Sequence, residues 1–184
     1  NLLKTMNMMI EVDVLLIRQI ELKYLTKIKK LYYLLALETG KSPNVSKLAE
    51  TIDTSRATVM NYIKYLADAR LLNIIYHQGS VFPKKPAMVV VNNPNLIYTV
   101  YPRNFGDREI LNSFFINQLR KDHTVNKERA TDAYRIDGET SVRISAEGEG
   151  ESRARGKKNY YTASSGLVVG KGRKIPLWLF GFLY

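Results

Sequence analysis

The sequence contains no cysteine, which excludes disulfides and thiolate-bound zinc and makes a reducing cytoplasm the expected compartment. It has only two histidines, His77 and His123, far apart and in no metal-binding spacing, so both read as exposed polar side chains. No apolar run approaches the roughly 20 residues that a transmembrane helix needs. The start lacks the basic, apolar and small-residue order of a signal peptide. The apolar ending Ile175 to Tyr184 is too short to span, and no membrane partner is expected. Ser165 to Gly172 brings glycines and a lysine together, but the glycine spacing is one residue short and no Ser or Thr follows Lys171. It is therefore not an ATP-binding loop, and a turn between two strands accounts for it. Internal repeats and heptads are also missing. The first residue is Asn, and further residues are expected upstream.

What the sequence has in excess is positive charge. Lys and Arg number 28 against 17 Asp and Glu, a formal charge of +11, and the pI is about 9.7. Such a balance favours a polyanionic partner, nucleic acid before an anionic membrane surface. With 184 residues, 45% of them hydrophobic, the chain can bury one sizeable core or two small ones.

Apolar residues recur at helical spacing from Ile20 to Leu37 and stop at Gly40 and Pro43, which predicts a first helix. Asn44 is a candidate N-cap for a short helix with Leu48, Ala49 and Ile52 on its apolar face. Thr54-Ser55 then interrupts before a run carrying Val59, Ile63 and Leu66. Two helices joined by a tight turn, with a longer helix before them, form a helix-turn-helix. Leu71 to Tyr76 and Met88 to Val91 read as strands, and the loop His77 to Pro86 between them carries Lys84-Lys85. That order predicts a winged helix whose wing has a basic tip.

Asn92-Asn93-Pro94-Asn95 marks a break, and a new unit is expected to begin there. Asp107 to Lys121 has a broad apolar face and a candidate cap in Asp107. Ala133 to Ile136 and Ser141 to Ile144 flank Asp137-Gly138, a strong short-hairpin signal. Glu147 to Lys158 is polar and reads as a mobile loop.

Two sets of residues carry candidate chemistry. On the helix starting near Ser55, Arg56, Thr58, Asn61, Lys64 and Tyr65 lie opposite the apolar stripe. Arg and Asn can contact base edges bidentately, and Thr and Lys suit phosphates. Lys84 and Lys85 could grip phosphate at the wing tip, or serve only as edge charges that discourage strand pairing. The second set is acidic. Glu109 lies early on a helix, Asp132 lies just before a strand, and Glu147, Glu149 and Glu151 alternate, which places all three on one face if that stretch is extended. Carboxylates gathered from a helix and strand ends can hold Mg²⁺ and activate water, although scattered surface acids are common.

The chain resembles the C-terminal region of bacterial AAA-type P-loop ATPases, a winged helix followed by a domain of unknown function related to PD-(D/E)xK nucleases. The resemblance is carried by Lys47-Leu48-Ala49 through Ser55-Arg56, Tyr62 to Leu72, Val91 to Tyr98, Arg108-Glu109, Phe114 to Leu119 and Thr131-Asp132. The ending Ile175 to Tyr184 is its most specific part. It implies an ATPase domain ahead of this chain, and it maps the nuclease acids, as catalytic and Mg²⁺-binding residues, onto Glu109, Asp132 and Glu147. Glu149 stands where the lysine of the carboxylate-x-Lys pair would be, and Lys157 or Lys158 would have to replace it.

The expected architecture is therefore α+β or α/β, with a helical lead-in and winged helix-turn-helix over 1–91. A small nuclease-like mixed sheet with helices, restriction-endonuclease-like, is expected over 92–184. The expected function is a DNA-associated accessory module. The rivals are a nuclease that requires Mg²⁺ and a non-enzymatic module docking on an ATPase domain or another protein; no cofactor is certain apart from that conditional Mg²⁺.

Overall fold

A computed structural model describes residues 2–16, 21–100, 106–149 and 158–183. Helix α1 (Leu2–Met9) runs into a π-helical stretch (Ile10–Leu16), and a 3-10 turn (Leu22–Tyr24) leads into α2 (Leu25–Leu37). The expected first helix is thus α2, with part of the residues ahead of it outside the described set.

Local chemistry sets the next two helices. Asn44 caps α3 (Val45–Thr51), its side chain accepting from the Lys47 N–H at 3.1 Å. Ser55 caps α4 (Arg56–Asp68), accepting from the Thr58 N–H at 3.0 Å. Each cap satisfies a backbone donor that the first helical turn leaves open. Between them Asp53 takes a positive φ of 50°, and the Thr54 N–H returns to the Ala49 carbonyl at 2.9 Å. From α2, Lys30 donates to the Thr51 carbonyl at 2.8 Å and Lys27 reaches Asp53, so two lysines sit at the C-terminal end of α3, where its dipole favours cations.

Strands β1 (Leu72–His77) and β2 (Met88–Val91) form an antiparallel hairpin with Leu72 opposite Val91 and Ile75 opposite Met88. The period of two along a strand sends neighbours to opposite faces. Val89 and Val91 enter a core with α2, α3 and α4, whereas Met88 and Val90 enter a second core with Phe115, Ile116 and Tyr134. The outer edge of β2 is closed. The Gly40 N–H donates to the Val89 carbonyl at 2.9 Å, and the Val91 N–H donates to the hydroxyl of buried Thr39 at 3.0 Å.

Helices α5 (Pro94–Val100) and α6 (Asp107–Leu119) follow. The expected cap at Asp107 is corrected: Gly106 is the N-cap and makes no side-chain cap bond, and Asp107 is already the first helical residue. Buried Ser113 ties α6 to the hairpin by donating to the Val91 carbonyl at 2.7 Å. The remaining strands are β3 (Val125–Lys127), β4 (Tyr134–Ile136), β5 (Thr140–Ser145), β6 (Tyr160–Ser164) and β7 (Lys174–Pro176), and a 3-10 helix (Leu177–Phe182) follows. Asp137 and Gly138, with φ of 50° and 76°, make the tight turn between β4 and β5 that the Asp-Gly pair predicts, because two consecutive positive φ values are what a type I′ turn demands.

All seven strands belong to one mixed sheet in the order β2-β1-β3-β4-β5-β6-β7. β4 runs antiparallel to β3 and β5, while β1–β3, β5–β6 and β6–β7 are parallel. The chain is mixed α/β, and its sheet continues from the first half of the sequence into the second.

The side chain of Ile75 is fully buried in the second core, so Ile75→Ala is expected to cost about 2–5 kcal/mol of stability. Because the hairpin serves both cores, urea unfolding followed by helical circular dichroism and by fluorescence of the single tryptophan, Trp178, should shift together. A shift confined to the Trp178 signal would contradict that coupling.

Candidate functional site

Helix α4 and the loop Gln78–Ala87 face a common cleft. Arg56 and Asn61, both exposed, line it from the helix together with Ala57 and Met60, and Phe82, Pro83 and Lys85 line it from the loop. Its volume is about 310 Å³. Of the seven residues proposed from sequence on the helix and its loop, three therefore converge: Arg56, Asn61 and Lys85. Lys84 is exposed on the same loop. Thr58 is partly committed, because its hydroxyl lies 2.9 Å from the Ser55 Oγ. Lys64 is half-buried, 3.3 Å from the Asp68 carboxylate, with its ammonium 5.9 Å from the centre of the Phe82 ring. Tyr65 packs half-buried against Tyr62, ring centres 6.3 Å apart. The sequence reading missed Phe82, whose aromatic ring in a polar loop was the available signal.

The acidic residues have other partners. Asp132 sits just ahead of β4, and each of its carboxylate oxygens holds a cation: Lys127 at 2.8 Å on one and Arg108 on the other. Glu149 accepts from Arg108 at 2.8 Å and lies 3.4 Å from Arg143. Glu109, on the first turn of α6, folds back over Gly106, where an added Cβ would lie 2.8 Å from its Oε2. Glu147 lies against Gly166 instead. The expected alternation of Glu147, Glu149 and Glu151 on one extended face is corrected. Residues 147 and 148 form a turn in which Gly148 has φ 78° and the Glu149 N–H returns to the Ala146 carbonyl at 3.2 Å. That turn separates Glu147 from Glu149; Glu151 and Lys157 lie outside the described residues, and Lys158 is exposed.

Among the described residues no group of three His, Cys, Asp or Glu side chains is placed to hold a metal ion. The donor set of Glu109, Asp132 and Glu147 does not fit Mg²⁺, which needs oxygen ligands converging on one point. The histidines do not supply it either. His77 is half-buried with Nδ1 2.8 Å from the Lys127 carbonyl, which corrects its reading as an exposed side chain, and exposed His123 pairs with Asp137 at 2.7 Å.

Pairing with cations shows in acidity. Burial alone would raise the Asp132 carboxyl, but Lys127 and Arg108 outweigh it and hold it below its usual value of 3.8. Burial likewise opposes, and Arg108 and Arg143 overcome it, to lower Glu149 from 4.5.

Residues 3–87 match a family described as Domain of unknown function (DUF8612). The match covers the helices through α4, strand β1 and the loop that follows, and ends one residue short of β2. No curated protein and no solved structure matches the chain. Among the described residues no helix is long and apolar enough to cross a membrane.

A carboxyl whose folded pKa lies below its unfolded value stabilises the fold above the unfolded value, and the contribution disappears as pH falls through the folded one. The Arg108 network should therefore add stability at neutral pH and lose it below about pH 4, with partly exposed pairs contributing about 1 kcal/mol or less each. Thermal melts across this range should show a shallower acid decline in Asp132→Asn/Glu149→Gln. An unchanged slope would mean that the pairs carry no linkage.

Proposed function

We propose that the chain is a DNA-associated accessory module. Helices α3 and α4 act as a helix-turn-helix, the β1–β2 loop acts as its wing, and the second half is a nuclease-like mixed sheet that does not cleave. The observation that carries the proposal is the convergence of Arg56, Asn61 and Lys85 on one exposed cleft between α4 and the loop. A guanidinium and a carboxamide at the start and middle of a helix can read base edges, while a flexible ammonium on the loop needs only a phosphate. The charge of +11 supplies the long-range attraction that such binding uses.

The acids support a reading without cleavage. Two-metal hydrolysis needs carboxylates free to bind metal, whereas Asp132 is held by Arg108 and Lys127, and Glu149, in the position of the motif's lysine, is an acid held by Arg108 and Arg143. Salt bridges in those positions organise the second half instead. The residue-level resemblance to the C-terminal region of AAA-type ATPases supports a role beside such an ATPase domain, in the cytoplasm, as the module that holds DNA.

Arg56→Ala should weaken duplex binding by about 1–3 kcal/mol and relax sequence preference, whereas Lys85→Ala should weaken all duplexes alike and lower the salt slope by about one. Anisotropy titrations of labelled duplexes check both. Absence of salt-sensitive binding in the wild type would overturn the proposal in favour of a protein-docking module.

A further inference from the structure

A second, larger groove begins where the cleft of α4 ends. It lies between the second half of α4, strand β1 and the second half of α6, with a volume of about 640 Å³. Phe82 stands on the ridge it shares with the α4 cleft. At its other end Tyr76, Arg120 and Lys121 also line a depression of about 420 Å³ that continues towards β3. The three depressions thus form one track across the hairpin.

Its lining is basic and amide-rich. Lys64, Arg70, Arg120 and Lys121 line the main groove against one carboxylate, Asp68, which lies 3.3 Å from Lys64. Arg120 is held in place by a bond to the Ile74 carbonyl. Arg70 occupies the left-handed position that closes α4, with φ 55° and the Leu71 N–H returning to the Leu66 carbonyl at 3.0 Å. Glycine takes that position at lower cost, so an arginine there is a strained choice of the kind that collects at functional sites. The Tyr76 hydroxyl lies beneath this surface, buried and without a hydrogen-bond partner among the described residues.

We propose that this groove holds a single nucleic-acid strand leaving the duplex bound at α4, with Arg70, Arg120 and Lys121 on its phosphates and Phe82 stacked on a base. A basic track with aromatic platforms and carboxamides is the chemistry that single strands use, because every base offers a stacking face. The groove is broad and open rather than closed around one small molecule, and it is continuous with the α4 cleft, which favours a strand over a free mononucleotide. The inference rests on the α4 reading for its origin, and its test separates the two.

Anisotropy titrations of the intact chain would use a labelled oligothymidylate and a labelled blunt duplex. Arg70→Gly/Lys121→Glu should weaken the oligothymidylate about tenfold or more while changing duplex affinity by less than about twofold. Equal losses on both probes, or none, would overturn the groove. So would competition by thymidine monophosphate as strong as that of the oligonucleotide, which would make the ligand a free nucleotide. If wild type binds oligothymidylate and loses it in the double variant, but binds no duplex, the groove stands and the α4 reading falls.

Discussion

The structure depends on a strand pair that is buried on both faces. Val89 and Val91 of β2 face the core of α2, α3 and α4, and Met88 and Val90 face the core of α6 and the larger sheet. Burial of such side chains stabilises by about 1.5–3 kcal/mol each, and here neither core can close without the hairpin. The edge of β2 is sealed by residues 39–41, and β1 passes its last two residues to β3 in parallel register. These contacts fix α4 relative to α6, and the groove between them exists because the hairpin forms its floor.

Ion pairing is concentrated in one part of the chain. Around α6 and the strand ends, Arg108, Lys127 and Arg143 are spent on Asp132 and Glu149, and Arg135 is spent on Glu128. An ion pair of this kind satisfies its members and contributes little net field. On the α4 side Arg56, Lys84 and Lys85 are exposed. Exposed cations also stand in the second half, at Arg129, Lys158, Lys171, Arg173 and Lys174, so the formal charge of +11 is spread over both halves, and what sets the α4 side apart is the convergence of its cations on one cleft.

Features that a few neighbouring residues dictate were legible in the sequence. Asn44 caps the helix expected of it, the helix expected to begin near Ser55 starts at Arg56, Met88 to Val91 is a strand over the expected residues, and Asp137-Gly138 turns a hairpin. What required distant partners was not. Strand β3, Val125–Lys127, is three residues long and has no alternating signature of its own; it is a strand because β1 and β4 pair with it. Parallel β5–β6 pairing joins segments across a long connection, which short-range patterns do not encode. The acids illustrate the same limit. Asp132 lies where the sequence placed it, ahead of a strand, but that Arg108 reaches both it and Glu149 from α6 is a tertiary fact. Likewise the cleft residues Arg56 and Asn61 follow from helical spacing, whereas the meeting of Arg70 with Lys121 across the groove does not.

The proposed function is to hold DNA without cutting it. The most direct measurement is fluorescence anisotropy of labelled duplex DNA across a salt series, with Mg²⁺ then added to the same sample and the DNA resolved on a gel. The proposal requires affinity that falls steeply as salt rises and DNA that stays intact. Cleavage that requires Mg²⁺ and disappears in Glu109→Ala would contradict it.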